Sequence, residues 1–134
     1  MKRSLFALLN AALLLGLFVF SASAETITCA ECGMTSDLAS KFTAKITQGD
    51  KTLYFCDIGD LLSYQNRKKP ENARPEVKDY ESGQWIDARA AFFVRAEKKF
   101  KSPMGWGIAA FKDSKTAAGY GPVVGFDDAA KAVK

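Results

Sequence analysis

The stretch Cys29-Ala30-Glu31-Cys32-Gly33-Met34 concentrates more chemistry than any other part of this 134-residue chain. Two cysteines three positions apart can bring both sulfurs to one point. Such a pair can hold a soft metal ion, cycle as a dithiol, or close a small disulfide. Gly33 lets the backbone turn sharply behind the second thiol. Met34 then brings a thioether within reach of the same point. Thiolates plus a thioether form a soft donor set, which favours Cu(I) over magnesium, calcium or manganese; zinc gains little from a thioether. The chain has no histidine. That excludes imidazole-dependent nucleophilic catalysis, histidine-zinc sites and facial-triad iron, and it argues against Cu(II).

Two more sulfurs extend the set. Ser102-Pro103-Met104-Gly105-Trp106-Gly107 places a methionine between proline and glycine. A turn is a poor core position and a good place to present a thioether. Trp106 could shield such a site from water or belong to the core. Cys56 falls at the end of a predicted strand, beside a helix-capping Asp57. It could be a third thiolate, a disulfide partner, or a small buried hydrophobe. The candidate metal ligands are therefore Cys29, Cys32, Met34, Cys56 and Met104. Redox cycling of Cys29 and Cys32 is the alternative. A thiol redox motif ordinarily opens a helix in a βαβ unit, and here no strand is expected before the pair. Catalysis has little support. There is no glycine-rich phosphate loop, and Asp57/Asp60 and Asp127/Asp128 fall at helix starts, where capping and dipole effects explain them. The chain does not read as an enzyme.

The elements that must position these sulfurs follow from periodicity. Lys41 to Thr47 alternates, with Phe42, Ala44 and Ile46 on one face, and reads as a strand. Gly49-Asp50 is a turn, and Thr52 to Phe55 a second strand. Asp57 caps a helix from Ile58 to about Lys68, ended by Pro70. Glu76 to Tyr80 is a third strand. The second half repeats the order: strand Ala90–Glu97, loop Lys101–Trp106, strand Gly107–Phe111, a short helix capped by Asp113 or Ser114, strand Val123-Val124, and a last helical segment from Phe126. Phe55 and Phe111, Asp57 and Asp113, and Tyr64 and Tyr120 are each 56 positions apart. The expectation is an α+β fold of duplicated strand-strand-helix-strand units packed together. Residues 25–83 form the first half and 84–134 the second, with the seam at Gly83-Gln84.

The first 24 residues read as an address. Met1-Lys2-Arg3 is basic, Leu5 to Phe20 is almost wholly apolar, and Ala22-Ser23-Ala24 is a small-residue cleavage signal. This is the build of a secretory signal peptide, cleaved after Ala24. An uncleaved N-terminal anchor is the other reading, and the membrane would then be met only through this segment. Thr26-Ile27-Thr28 lacks the small-residue pattern of a lipoprotein signal before Cys29. Export to an oxidising compartment such as the periplasm leaves an odd number of thiols, three, to be accounted for. With 48% hydrophobic and 25% charged residues the composition is that of a globular protein. Cleavage removes Lys2 and Arg3, and with them two of the four net positive charges. What remains is no argument for nucleic acid as a partner.

Taken together, Cys29 to Met34, Tyr54-Phe-Cys-Asp-Ile-Gly59, Val77-Lys-Asp-Tyr80, Gly83-Gln-Trp-Ile-Asp-Ala88, Ala91-Phe-Phe-Val94 and Pro103-Met-Gly-Trp-Gly107 resemble the NosL family, the accessory proteins of nitrous oxide reductase. The resemblance runs from Cys29 to about Val133. It implies an exported Cu(I)-binding metallochaperone that supplies copper for maturation of nitrous oxide reductase or another periplasmic copper enzyme. It also implies a fold related to the organomercurial lyase core. Carried over by position, it gives Cys32, Met34 and Met104 as metal-site residues, and it matches Cys29 to the cysteine that carries a lipid in many members. Many members follow the Met-Gly of the loop with histidine. This chain has Trp106 there, so its ligand set departs from the common one.

Overall fold

The computed structural model describes residues 21–133. The apolar stretch read as the core of a signal peptide lies outside the described residues. Among those described, no helix is long and apolar enough to cross a membrane.

The chain opens with a short antiparallel ribbon, β1 (Thr26–Thr28) and β2 (Thr35–Asp37), in which Ile27 faces Ser36. A strand therefore does precede Cys29, contrary to the sequence expectation. It is only three residues long, and one apolar residue between two threonines carries no readable alternation. β3 (Ala44–Gln48) and β4 (Lys51–Phe55) form the expected hairpin, turning at Gly49 with φ 57°. Ala44 and Ile46 are buried while Lys45 and Thr47 are less so, as strand alternation requires. Cys29 bridges to Tyr54, and the Ala30 amide donates to the Tyr54 carbonyl at 2.7 Å, tying the ribbon to the edge of β4.

Helix α1 (Ile58–Lys68) begins where capping chemistry places it. Asp57 is extended, and its carboxylate accepts the Gly59 amide at 3.0 Å. Ile58, Leu61 and Leu62 are fully buried, each contributing roughly 1.5–3 kcal/mol by burial. The helix ends at Lys69 in the left-handed region, just before Pro70. β5 (Arg74–Lys78) starts two residues earlier than the sequence suggests. The chain then reverses at Gly83, with φ 72°, into β6 (Trp85–Asp87), a strand not anticipated from sequence. The sheet order is β4-β3-β5-β6, so β6 completes a sheet otherwise built from residues before the expected seam.

A second ribbon, β7 (Phe92–Arg95) and β8 (Ile108–Phe111), carries the short helices α2 (Ser114–Ala118) and α3 (Phe126–Lys131). Val123-Val124 is not a strand of its own; Val124 makes one antiparallel bridge to Phe93. The letters that match 56 positions apart occupy like places. Phe55 and Phe111 are buried ends of β4 and β8. Asp57 and Asp113 cap α1 and α2. Tyr64 and Tyr120 lie 5.3 and 5.0 Å, centroid to centroid, from Phe55 and Phe111. The architecture is the mixed α+β class expected. One core lies between α1 and the four-stranded sheet; a smaller aromatic core gathers Tyr80, Phe100, Phe111 and Tyr120.

Asp79 joins the two regions. It bridges to Ala110, while its buried carboxylate accepts the Ser82 hydroxyl at 2.6 Å, the Ser82 amide at 3.0 Å and the Lys112 amide at 3.0 Å. Burial alone would raise its pKa. The donors from Ser82 and Lys112 outweigh that and hold it below the usual carboxylate value.

Candidate metal centre

Three loops converge at the N-terminus of α1. The first is the tight connection from β1 to β2. The Cys29 amide donates to the Met34 carbonyl at 2.8 Å, and the Gly33 amide donates to the Cys29 carbonyl at 2.9 Å. Gly33 sits at φ 75°, which a residue with a Cβ adopts at a cost. The loop is anchored from its flank, where Glu31 pairs with Arg67 and accepts the Ser63 hydroxyl, both on α1. Cys29 is buried and Cys32 half-buried.

The second loop is the step from β4 into α1. Cys56 is its fully buried last residue before the cap, and Asp60 lies in the first helical turn, 4% exposed. The third is the connection from β7 to β8. Its Met104 amide donates to Asp57 Oδ2 at 2.9 Å, and its Trp106 indole N–H donates to Asp60 Oδ1 at 3.0 Å. A Cβ on Gly59 would come within 2.1 Å of Trp106 Cγ, so only glycine lets the indole lie across the helix start.

These loops bring the donor atoms of Cys29, Cys32, Cys56 and Asp60 within 4.8 Å of one another. Cys32 Sγ lies 3.5 Å from Cys56 Sγ. Cys29 and Cys56 direct their thiols at Asp60 Oδ2, at 3.4 and 3.6 Å. No two of the sulfurs are bonded to each other. Burial pushes the Cys56 thiol far up, and the neighbouring Cys32, Cys29 and Asp60 push the same way. Burial also raises the Cys32 thiol, against the Met34 amide, which favours its thiolate. Asp57 is raised by burial too, in spite of donors from Ser102, Gly59 and Met104.

The sequence-predicted residues thus fall into two groups. Cys29, Cys32 and Cys56 share one cluster. Met34 and Met104 stand on the loops that carry or touch it, 47% and 42% exposed. Asp60 is a member of the cluster that sequence reasoning set aside. Its position in a first helical turn suggested a dipole effect, whereas its carboxylate faces the sulfurs. The available signal was an acidic residue four places after a cysteine. Trp106 is neither simple shielding nor simple core, because its N–H fixes Asp60. The Cys29–Cys32 segment is followed by a turn and β2 rather than a helix. The pair therefore does not itself open a helix, as the motif of a dithiol oxidoreductase does.

A family model described as NosL matches residues 21–133. No curated protein matches the sequence significantly. Among solved structures, the crystal structure of the copper chaperone NosL from Shewanella denitrificans has a similar fold. Its TM-score is 0.65 at 22% identity, over 79% of this chain and 92% of that one. The match of the family model over every described residue settles kinship: the chain belongs to the NosL family.

Proposed function

We propose that this protein is an exported copper carrier that holds one Cu(I) through the thiolates of Cys29, Cys32 and Cys56, with the thioethers of Met34 and Met104 at the rim. The observation that carries the reading is the convergence of three thiols at one point, in a chain without a single imidazole. Soft sulfur donors in a two- or three-coordinate array suit Cu(I) better than any hard ion. A solved relative of the same fold is itself named a copper chaperone.

The burial pattern suggests how the ion would move. Cys29 and Cys56 are buried and would hold it; Cys32 is half-buried and offers the edge where a partner's donor can attack. Transfer is ligand exchange. A thiolate or thioether of the receiving protein adds to the copper, and the bond to Cys32 breaks. Neither copper nor sulfur changes oxidation state. Exposed Met34 and Met104 supply weak donors on the way out. The receiving protein is a periplasmic copper protein, with nitrous oxide reductase the first candidate, in keeping with the family. Binding requires the thiols to give up protons; burial opposes that step at Cys32, and the Met34 amide offsets part of the cost.

Anaerobic titration of the reduced protein with Cu(I), against a competing chelator, tests this. Uptake of one ion per chain is expected, with loss of binding in Cys32→Ser. A reduced protein that leaves all the copper with a weak chelator contradicts it.

A further inference from the structure

The connection from β7 to β8 borders the thiol cluster, and it also concentrates positive charge. Arg95 closes β7, and Lys98, Lys99 and Lys101 follow it. Glu97 is the single acid between Arg95 and Gly107, and it pairs with Arg95 at 2.8 Å. Among the described residues, none of the three lysines has a carboxylate partner. The whole chain has a net charge of +4, of which Lys2, Arg3 and Lys134 lie outside the described residues. One net positive charge is left for the described chain, whereas residues 95–107 alone carry three. The rest of the described chain is therefore net negative, and its positive charge is gathered on this loop.

The loop is built to hold those charges outward. Lys98, Lys99 and Lys101 are exposed, while Phe100 and Ser102 between and after them are buried. The Ala96 amide donates to the Gly107 carbonyl at 2.8 Å and closes the base of the loop; the Phe100 amide donates to the Ala96 carbonyl at 2.8 Å. The Ser102 hydroxyl accepts the Gly107 amide at 3.0 Å. Lys99 Nζ donates to the Tyr120 carbonyl at 2.7 Å, and Lys101 Nζ to the Glu97 carbonyl at 3.3 Å. A carbonyl is neutral, so these bonds order the ammonium groups and leave their charge in place.

The same loop continues into exposed Pro103, Met104 and Gly105. Its backbone is tied to the start of α1 by the Met104 amide on Asp57 at 2.9 Å, and its indole by Trp106 on Asp60 at 3.0 Å. The cations and the rim of the cluster thus sit on one pre-ordered segment. A fixed positive field at that place attracts a negative surface, orients it and speeds encounter.

We propose that this loop is the docking surface for the protein that receives the metal, and that the partner presents an acidic face to Lys98, Lys99 and Lys101 beside Met104. An anionic membrane would be drawn to the same lysines but accepts no metal ion, and the continuity of the patch with Met104 favours a protein. The proposal takes its cargo from the copper reading; the charge argument does not depend on it.

Two synthetic acceptor peptides with the same Cys-x-x-Cys core test it, one flanked by glutamates and the other by lysines. Anaerobic stopped-flow measures transfer from the Cu(I)-loaded protein to each. The ratio of the two rates is compared between the unaltered protein and the triple variant Lys98→Glu, Lys99→Glu, Lys101→Glu, which cancels any difference between the peptides themselves. At low ionic strength the ratio of acidic to basic peptide is expected to fall by at least about tenfold in the variant, the lower end of electrostatic steering. The effect is expected to vanish near about 1 M salt, where the Debye length is about 3 Å. Carbodiimide cross-linking of the unaltered, metal-free protein to the acidic peptide needs neither copper nor a variant. Cross-links mapped by mass to Lys98, Lys99 or Lys101 are expected. Equal ratios in the two proteins, or an acidic peptide that cross-links elsewhere only, overturn the proposal. So does binding to phosphatidylglycerol vesicles that the triple variant loses while its peptide ratio stays unchanged, since the loop then serves a lipid surface. A protein that takes up no Cu(I) but cross-links at these lysines overturns the copper reading and leaves the acidic docking face standing.

Discussion

The indole N–H of Trp106 donates to Asp60 Oδ1 at 3.0 Å, across 46 positions of sequence. An indole is a donor only and cannot ligate a metal. At a place where the family resemblance suggests histidine, this chain therefore has a residue that orients a carboxylate. The indole packs against the start of α1, where residue 59 has no side chain, and the Arg95 guanidinium lies over its ring, 5.9 Å from the centroid.

Gly59→Ala puts a methyl group within 2.1 Å of the indole. The indole or the helix must give way. Overpacking of this kind costs roughly 1–3 kcal/mol, and it also releases Asp60. Thermal unfolding is expected at a lower temperature, and metal affinity is expected to fall with it. A variant with unchanged melting and unchanged metal affinity would show that the close packing does not matter.

Met34→Leu and Met104→Leu alter side chains that are about half exposed. Stability is expected to change by less than about 0.5 kcal/mol, as for most surface substitutions. Cu(I) handover to an acceptor thiol is expected to slow in each. Chemical denaturation and stopped-flow transfer measure the two effects separately. Equal transfer rates would return both residues to a purely surface role.

The three thiols differ in exposure, Cys32 being half-buried and Cys29 and Cys56 buried. Alkylation of the reduced native protein is expected to modify Cys32 first, and the other two only on unfolding. Cu(I) is expected to protect Cys32. Peptide mass mapping after timed quenching checks the order.

Asp79 predicts acid sensitivity. Its folded pKa lies below that of an unfolded aspartate, about 3.9. Its contribution is therefore complete above that value and disappears as pH falls through the lower folded one. Asp79→Ala leaves the donors of Ser82 and Lys112 without their acceptor. A loss of roughly 2–3 kcal/mol at pH 7 is expected from charged hydrogen bonds of this kind. The gap to the unaltered protein should narrow as the pH falls through the folded value. Urea unfolding at several pH values measures it.

Much of this was readable in the sequence because it rests on local chemistry. Asp57 followed by the apolar spacing of Ile58, Leu61 and Leu62 dictates a helix, and Gly49-Asp50 between alternating runs dictates a hairpin. The three-residue strands β1, β2 and β6 were not readable, since pairing partners rather than periodicity define them. The thiol cluster was half legible. Cys29 and Cys32 announce themselves by spacing. Cys56 could be placed beside them only as one option among three, because the Cys29–Tyr54 bridge that brings β4 to the loop is a long-range contact. Asp60 was hidden by a sufficient local explanation, its place in a first helical turn. The contact that reveals its other role comes from Trp106, on a different ribbon.

X-ray absorption at the copper edge of the Cu(I)-loaded protein addresses the central claim most directly. A first shell of two or three sulfur atoms, losing sulfur in Cys32→Ser and Cys56→Ser, is the predicted result. A shell of oxygen or nitrogen, or one unmoved by either substitution, would contradict it.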